Sequence, residues 1–221
     1  NYDRDISFHN IHALLYDDGK LWIGTFSRGL YIMDTKTGKV KNYRHTTGNL
    51  YTIPNDHIYS LYKGYDGTIY IGTLSGFCMY DSKKDAFNII PELSRIFIYD
   101  IVEDAHGSLW LASKRDGIWR YDLKDKTLKN YRHLQDIPSS PSSNWVIGVY
   151  IDTKGNLWFC TEVSGICRYN YEHDNFDNFS TKENLPNKII YGILDDKSRN
   201  NWLSSNNRLI RYETPNKRAH P

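Results

Sequence analysis

The sequence predicts an all-β fold of about five copies of one short antiparallel unit, and three observations carry that prediction. A phrase recurs along the whole chain: LWIGT at 21–25, IYIGT at 69–73, LWLAS at 109–113, LWFCT at 157–161 and NWLSS at 201–205. A spacing of roughly 40 to 50 residues marks stacked copies of a single supersecondary unit. An apolar stretch too short for a typical helix precedes each phrase, and in four copies a glycine-ended turn separates the two.

The elements of a copy follow in order. IHALLYD at 11–17, IYSLYK at 58–63, IYDIVED at 98–104, VIGVYID at 146–152 and IIYGILD at 189–195 are rich in β-branched and aromatic residues and read as buried first strands. The turns DDG at 17–19, YDG at 65–67, AHG at 105–107 and TKG at 153–155 end on a glycine that accepts the positive φ of a tight hairpin. The fifth copy has no glycine there, and Asn200 is the expected left-handed substitute. The aromatic phrase is the second strand. A loop closing on Gly29, Gly76, Gly117 or Gly165 leads to a third strand ending in YIMD, CMYD, WRYD, CRYN or IRYE.

A fourth strand is expected in the first four copies: VKNYRH at 40–45, FNII at 87–90, LKNYRH at 128–133 and FDNFS at 176–180. The fifth copy reaches its third strand near Tyr212 and then runs into ETPNKRAHP. Repeated four-stranded antiparallel units are the blades of a β-propeller. Residues 1–221 therefore read as one propeller region with repeats at 11–45, 58–90, 98–133, 146–180 and 189–213. Residues 1–2 read as the remnant of a preceding blade, and the region as part of a larger propeller of about seven blades, the alternative being a closed five-bladed ring in which the two ends complete one blade. No segment sustains a 3.6-residue apolar period, so helical repeats are excluded.

The repeated aromatics Trp22, Tyr70, Trp110, Trp158 and Trp202 are assigned to packing between blades, because a ligand-stacking role for all five would strip the core of its largest members. Cys160 takes the position held by Gly24, Gly72, Ala112 and Ser204, which favours a small buried thiol over a cross-strand disulfide with Cys167. Cys78 aligns with Cys167 and is expected in the core. The net charge of +2 comes from 28 basic and 26 acidic residues, interspersed, and leaves no electrostatic footprint for nucleic acid. No apolar stretch approaches the roughly 20 residues that span a bilayer.

Metal, redox, phosphate-loop and serine-hydrolase signatures are absent, so no catalytic residue, metal or cofactor is assigned. His45 and His133 belong to the repeated KNYRH phrase and are expected at strand ends. Glu162 falls where other copies have Phe26, Leu74 and Lys114, and reads as a solvated loop charge. Binding groups are expected in the loops between second and third strands and in the long connections 46–57 and 134–145. Trp145 stands outside the repeated aromatic phrase. Arg28, Lys114, Arg115, Asn144, Trp145 and Asn187 together offer cation, amide and stacking groups suited to a sugar, above all an acidic one; the alternative for each is an ordinary polar rim.

The copies DDGKLWIGTFSRGLYIMD at 17–34, AHGSLWLASKRDGIWRYD at 105–122 and KGNLWFCTEVSGICRYN at 154–170 resemble the two-component regulator propeller repeat. The resemblance covers nearly the whole chain and is weakest in the fifth copy. It implies a periplasmic sensor region of an inner-membrane protein, commonly with two propellers and a smaller β-sandwich, in hybrid two-component systems of Bacteroides-like gut bacteria. Such a sensor would respond to oligosaccharides released from glycans and signal to a cytoplasmic histidine kinase, with dimerisation of the parent carrying the signal. The family has no short ligand-binding signature that transfers residue by residue. A lectin-like propeller, a protein-binding platform and a polysaccharide lyase or hydrolase are the alternatives. The unlike loop residues Phe26, Leu74, Lys114 and Glu162 argue against one sugar per blade.

Overall fold

The computed structural model describes residues 10–180, 185, 187–196, 200–213 and 218–220. The proposed remnant at 1–2 lies outside the described residues. The chain divides into two compact units, Asn1–Ile101 and Val102–Pro221.

Unit 1 holds two four-stranded antiparallel sheets. The first comprises β1 (Ile11–Asp17), β2 (Lys20–Thr25), β3 (Leu30–Asp34) and β4 (Val40–Tyr43); the second comprises β5 (Ile58–Lys63), β6 (Ile69–Thr73), β7 (Gly76–Asp81) and β8 (Ala86–Ile89). Strand β9 (Ile98–Glu103) crosses the boundary at Ile101 and heads the third sheet, with β10 (Ser108–Ser113), β11 (Gly117–Asp122) and β12 (Leu128–Tyr131). Unit 2 continues with a sheet of β13 (Val146–Ile151), β14 (Leu157–Thr161), β15 (Ile166–Asn170) and β16 (Asn175–Phe179). The last sheet comprises β17 (Ile190–Asp195), β18 (Asn201–Ser205), β19 (Leu209–Glu213) and β20 (Arg218–His220).

Each sheet is a simple meander, and the all-β class expected from the sequence is what forms. The fifth sheet departs from expectation: a short fourth strand, β20, pairs with β19 inside the polar tail. No apolar pattern in the sequence announces it. The register also corrects the fifth turn. Three residues before Trp202, where the other copies carry glycine, stands Arg199, outside the described residues. Asn200 instead matches Asn156, and both donate to the carboxylate opening their turn, Asp196 and Asp152 respectively.

The repeated aromatics are core. Trp22, Tyr70, Trp110 and Trp158 are at most 2% exposed, while Trp202 is half-buried. In three copies the indole N–H donates to the turn carboxylate six residues earlier: Trp110 to Asp104 at 2.6 Å, Trp158 to Asp152 at 3.0 Å and Trp202 to Asp196 at 2.9 Å. The same carboxylates cap turn amides, Asp104 those of His106 and Ser108, and Asp152 those of Lys154 and Asn156. One aspartate thus fixes both the hairpin and the ring packed behind it. All three cysteines are buried and free. Cys160 pairs with Ile166 and Cys167 with Phe159, so the two thiols are one residue out of register and point to opposite faces of their hairpin.

The KNYRH phrase is a latch between neighbouring sheets. In unit 1, Lys41 and Tyr43 of β4 reach Asp85 in the β7–β8 turn, where Tyr80 also donates at 2.7 Å. In unit 2, Lys129, Tyr131 and Tyr169 converge on Asp174 in the same way. Asn42 and Asn130 donate to loop carbonyls, and Arg44 and Arg132 pair with Asp56 and Asp116. The rings of His45 and His133 bond the carbonyls of Ile53 and Pro141. Both histidines are therefore structural, as their repetition suggests.

Asp85 and Asp174 sit at φ 53° and 51°, a backbone region that aspartate tolerates better than most side chains. Partial burial acts to raise each carboxyl, and the lysine with its two tyrosine hydroxyls outweighs it, holding both down at about 2. Burial and Asp85 together push Tyr43 up to about 12. A carboxyl depressed in the fold contributes stability that is present above its unfolded value near pH 4 and lost as pH falls towards 2. With both carboxylates nearly half exposed, screening limits each contribution to about 0.5–1 kcal/mol. Urea midpoints measured from pH 5 to pH 2 should therefore fall less steeply in Asp174→Asn than in the parent chain; parallel curves would refute the latch.

Candidate functional site

Two side-chain clusters form at equivalent places in the repeat: the residue before the first strand, the first strand's second residue, and the loop after the second strand. Each unit contains one.

In unit 2, residues just before β13 meet the loop after β10. Lys114 and Trp145 form an isolated antiparallel bridge, and the backbone N–H groups of Arg115 and Gly117 both donate to the Asn144 carbonyl, at 2.9 and 3.1 Å. This pins the β10–β11 loop so that two cations flank one indole: Lys114 Nζ lies 5.5 Å and the Arg115 guanidinium 5.4 Å from the Trp145 ring centre. Trp145 remains 37% exposed. Arg115 sits at φ 96°, a left-handed conformation that a long side chain adopts at a cost of about 1–3 kcal/mol and that surrounding contacts must impose.

Glu162 is not the solvated charge expected of it. It is half-buried and pairs with Lys114 at 3.2 Å, and its backbone N–H donates to the Trp145 carbonyl, which ties it to the same cluster. The pair neutralises Lys114 and leaves Arg115 as the exposed cation of the cluster. Two other residues expected to bind are committed to the chain itself. The Asn144 side-chain oxygen accepts the His133 amide at 2.8 Å, as Asp56 accepts that of His45. Asn187 caps Ile189 and donates to Asn206 and Asn207. Arg28 is exposed in unit 1; its amide donates to the Thr25 hydroxyl and its carbonyl accepts from Asn42. Lys114, Arg115, Asn144 and Trp145 are thus brought together, while Asn187 serves a separate turn and Arg28 belongs to the other unit.

The unit 1 cluster escaped the sequence reading. A register shift between Ile11 and Ala13 in β1, and between Ile58 and Ser60 in β5, bulges out His12 and Tyr59. Bulges re-aim the extra side chain. The His12 ring lies 5.0 Å from Tyr59 and 5.3 Å from Phe26; Phe26 lies 4.8 Å from His57; Tyr59 lies 4.4 Å from Phe97 and 5.5 Å from Tyr99. None of the six rings is fully buried. The signal was present as two aligned columns, His12, Tyr59, Tyr99, Ile147 and Tyr191, and His57, Phe97 and Trp145, hidden behind the stronger period of the buried phrase. Among the described residues no group of three metal-ligating side chains converges.

Two stretches, 52–75 and 140–163, match the family model of the two component regulator propeller; the second contains Asn144, Trp145 and Glu162. No curated protein matches the chain. Among solved structures, the extracellular domain of hybrid two component system BT3049 from B. thetaiotaomicron is similar at 20% identity and a TM-score of 0.76, over 91% of this chain and 27% of that one. The corresponding domain of BT4673 from the same organism gives 23% and 0.76, over 90% and 26%. Virginiamycin B lyase from Staphylococcus aureus gives 17% and 0.69, over 96% and 69%. The chain spans about a quarter of the two sensor domains. At these identities the likeness establishes the fold, a β-propeller, as the four-stranded repeats predict.

Proposed function

We propose that this chain is a ligand-recognition segment of an extracytoplasmic sensor in a hybrid two-component system, and that its ligand is a glycan-derived oligosaccharide. The carrying observation is the Trp145 cluster: a partly exposed indole, an exposed guanidinium beside it on a strained backbone, and a half-buried Lys114–Glu162 ion pair that leaves Arg115 the unneutralised cation. An apolar ring face stacks on a pyranose, and the unneutralised Arg115 favours a uronate or sulfate group on it. The matching repeat model and the shared fold with extracellular sensor domains support the sensory role.

In this reading the segment carries no catalytic residue and needs no cofactor. It works in the periplasm as part of an inner-membrane protein, beside a further propeller and a β-sandwich of the same chain, and makes no contact with nucleic acid. A homodimeric parent passes the signal to a cytoplasmic histidine kinase. Signalling requires the oligosaccharide to bind one arrangement of the sensor more tightly than another, since equal affinity shifts nothing. The test is the affinity of the complete extracytoplasmic region for its oligosaccharide in Arg115→Ala and Trp145→Ala. Each substitution should weaken binding about tenfold, the scale of a desolvated cation–π or stacking contact. Unchanged affinity in both variants would remove the Trp145 cluster from the binding site.

A further inference from the structure

The loop position after the second strand holds two opposite charges in unit 2 and two apolar residues in unit 1. In unit 2 the charges meet across Trp145: Lys114 bridges its backbone from the β10 side, and Glu162 donates its amide to the Trp145 carbonyl at 3.0 Å from the β14 side. In unit 1 the same two positions are Phe26 and Leu74, set about His57. Leu74 donates its amide to the His57 carbonyl at 3.0 Å, and the Phe26 ring meets the His57 ring at 4.8 Å. Stacking two neighbouring sheets therefore needs no ion pair at this place. The Lys114–Glu162 pair is a feature of the Trp145 cluster rather than of the repeat.

The geometry withholds Lys114 from a ligand while Glu162 is charged. Glu162 Oε1 accepts from the ammonium at 3.4 Å, and Oε2 lies 3.2 Å from it, sealed from water and with no hydrogen-bond donor among the described residues. The two side chains are 27% and 33% exposed, so solvent and salt screen their attraction less than that of a fully exposed pair. Turning Lys114 towards a ligand anion would leave a half-buried carboxylate unpaired, against its desolvation penalty. Asp116, next to Arg115 in the chain, pairs with Arg132 instead, which leaves the Arg115 charge for a ligand. Two cations thus flank the indole, at 5.5 and 5.4 Å, and only Arg115 is open to an anion.

We propose that Glu162 sets the charge of the ligand: it fits the site to a sugar with one anionic group and discriminates against a sugar with a second beside the first. This rests on the oligosaccharide reading of the Trp145 cluster and adds to it a specificity-determining residue that acts through Lys114. A second carboxylate or sulfate would have to displace Glu162 from the ammonium and would meet its like charge at close range.

The probes are two disaccharides of one skeleton, the unsaturated chondroitin disaccharide with its single carboxylate and the 6-sulfated form with two charged groups, titrated calorimetrically into the 221-residue chain. The parent chain should gain less than about threefold in affinity from the sulfate, the scale of an exposed charge contact. Glu162→Gln keeps the shape and removes the charge. It should raise affinity for the sulfated form about tenfold, the scale of one charge-assisted hydrogen bond, and leave the single-charge form nearly unchanged. That gain should shrink with added salt and vanish in the Lys114→Gln, Glu162→Gln double variant. A purely structural Glu162 would instead lower the melting temperature of Glu162→Gln and leave the ratio of the two affinities as in the parent. That result overturns the proposal, as does a gain that survives the loss of Lys114. Failure of the sulfated form to bind Glu162→Gln overturns it too; the oligosaccharide reading then stands if the single-charge form still binds the parent through Arg115, and falls with it if Arg115→Ala changes nothing.

Discussion

Trp110→Ala should cost about 3–5 kcal/mol, the range for emptying a large buried aromatic site. The side chain is fully buried. It stacks on Tyr131 at 5.7 Å and 23°, meets Tyr169 at 4.5 Å and Phe159 at 5.8 Å, and lies under the Arg120 guanidinium at 5.5 Å. Truncation opens a cavity among rings that cannot collapse, because Tyr131 and Tyr169 are tethered at their hydroxyls to Asp174. It also removes the indole donor from Asp104, which is itself 1% exposed. The two losses share one site and are not additive. Urea midpoints at constant m-value measure the effect. Trp145→Ala is the control: its ring is partly exposed and should change stability by less than about 1 kcal/mol. Equal losses in the two variants would contradict the division between a packing tryptophan and a binding one.

Gly117→Ala should destabilise by about 2–6 kcal/mol, combining left-handed strain with overpacking of about 1–3 kcal/mol each. Gly117 sits at φ 77°, and a Cβ there would stand 2.3 Å from the Tyr131 carbonyl oxygen and 3.2 Å from the Asn144 side-chain oxygen. The obstruction is backbone, so the loop between β10 and β11 must move to accept a methyl group. Gly29 and Gly165 face the same obstacle, 2.2 Å from the Tyr43 carbonyl and 2.3 Å from that of Phe179. The expectation is specific to this position because Arg115 hangs from the same loop. Its strained backbone is held by the Asn144 carbonyl that also receives the Gly117 amide. Gly117→Ala should therefore lower thermal stability and weaken oligosaccharide binding together, whereas Gly29→Ala, in the other unit, should lower stability alone. An unchanged melting temperature in Gly117→Ala would contradict the close approach.

The difference between what was legible in the sequence and what was not has a physical basis. A buried ring such as Trp158 recurs at every copy because every pair of neighbouring sheets needs the same volume filled, so its period is strong. Glycine at 67, 107 and 155 announces each hairpin because φ above 75° excludes most side chains. The KNYRH phrase was visible as repetition, but its purpose was not, since Asp85 and Asp174 lie more than 40 residues away from the lysines they bind. Strand β20 was missed because a short edge strand paired through its backbone needs no apolar pattern.

The site was the least legible part. Lys114, Arg115 and Trp145 could be singled out by loop position and chemistry. That Glu162 pairs with Lys114, neutralising one cation, follows from a register no local pattern encodes. Asn144 looked like a ligand group because its amide is polar and its loop long; the amide closes that loop instead. The unit 1 aromatic cluster depends on two bulges, and a bulge changes where a side chain points without changing its neighbours in sequence.

The central claim is that the propeller recognises an oligosaccharide through the Trp145 cluster. Its most direct test is calorimetric titration of a panel of glycan oligosaccharides, including uronic and sulfated members, into the complete extracytoplasmic region and into the 221-residue chain. The account predicts binding of an acidic member by both, lost from both in the Arg115→Ala, Trp145→Ala double variant. Silence across the panel in the complete region, or affinity unchanged by the double variant, would contradict it.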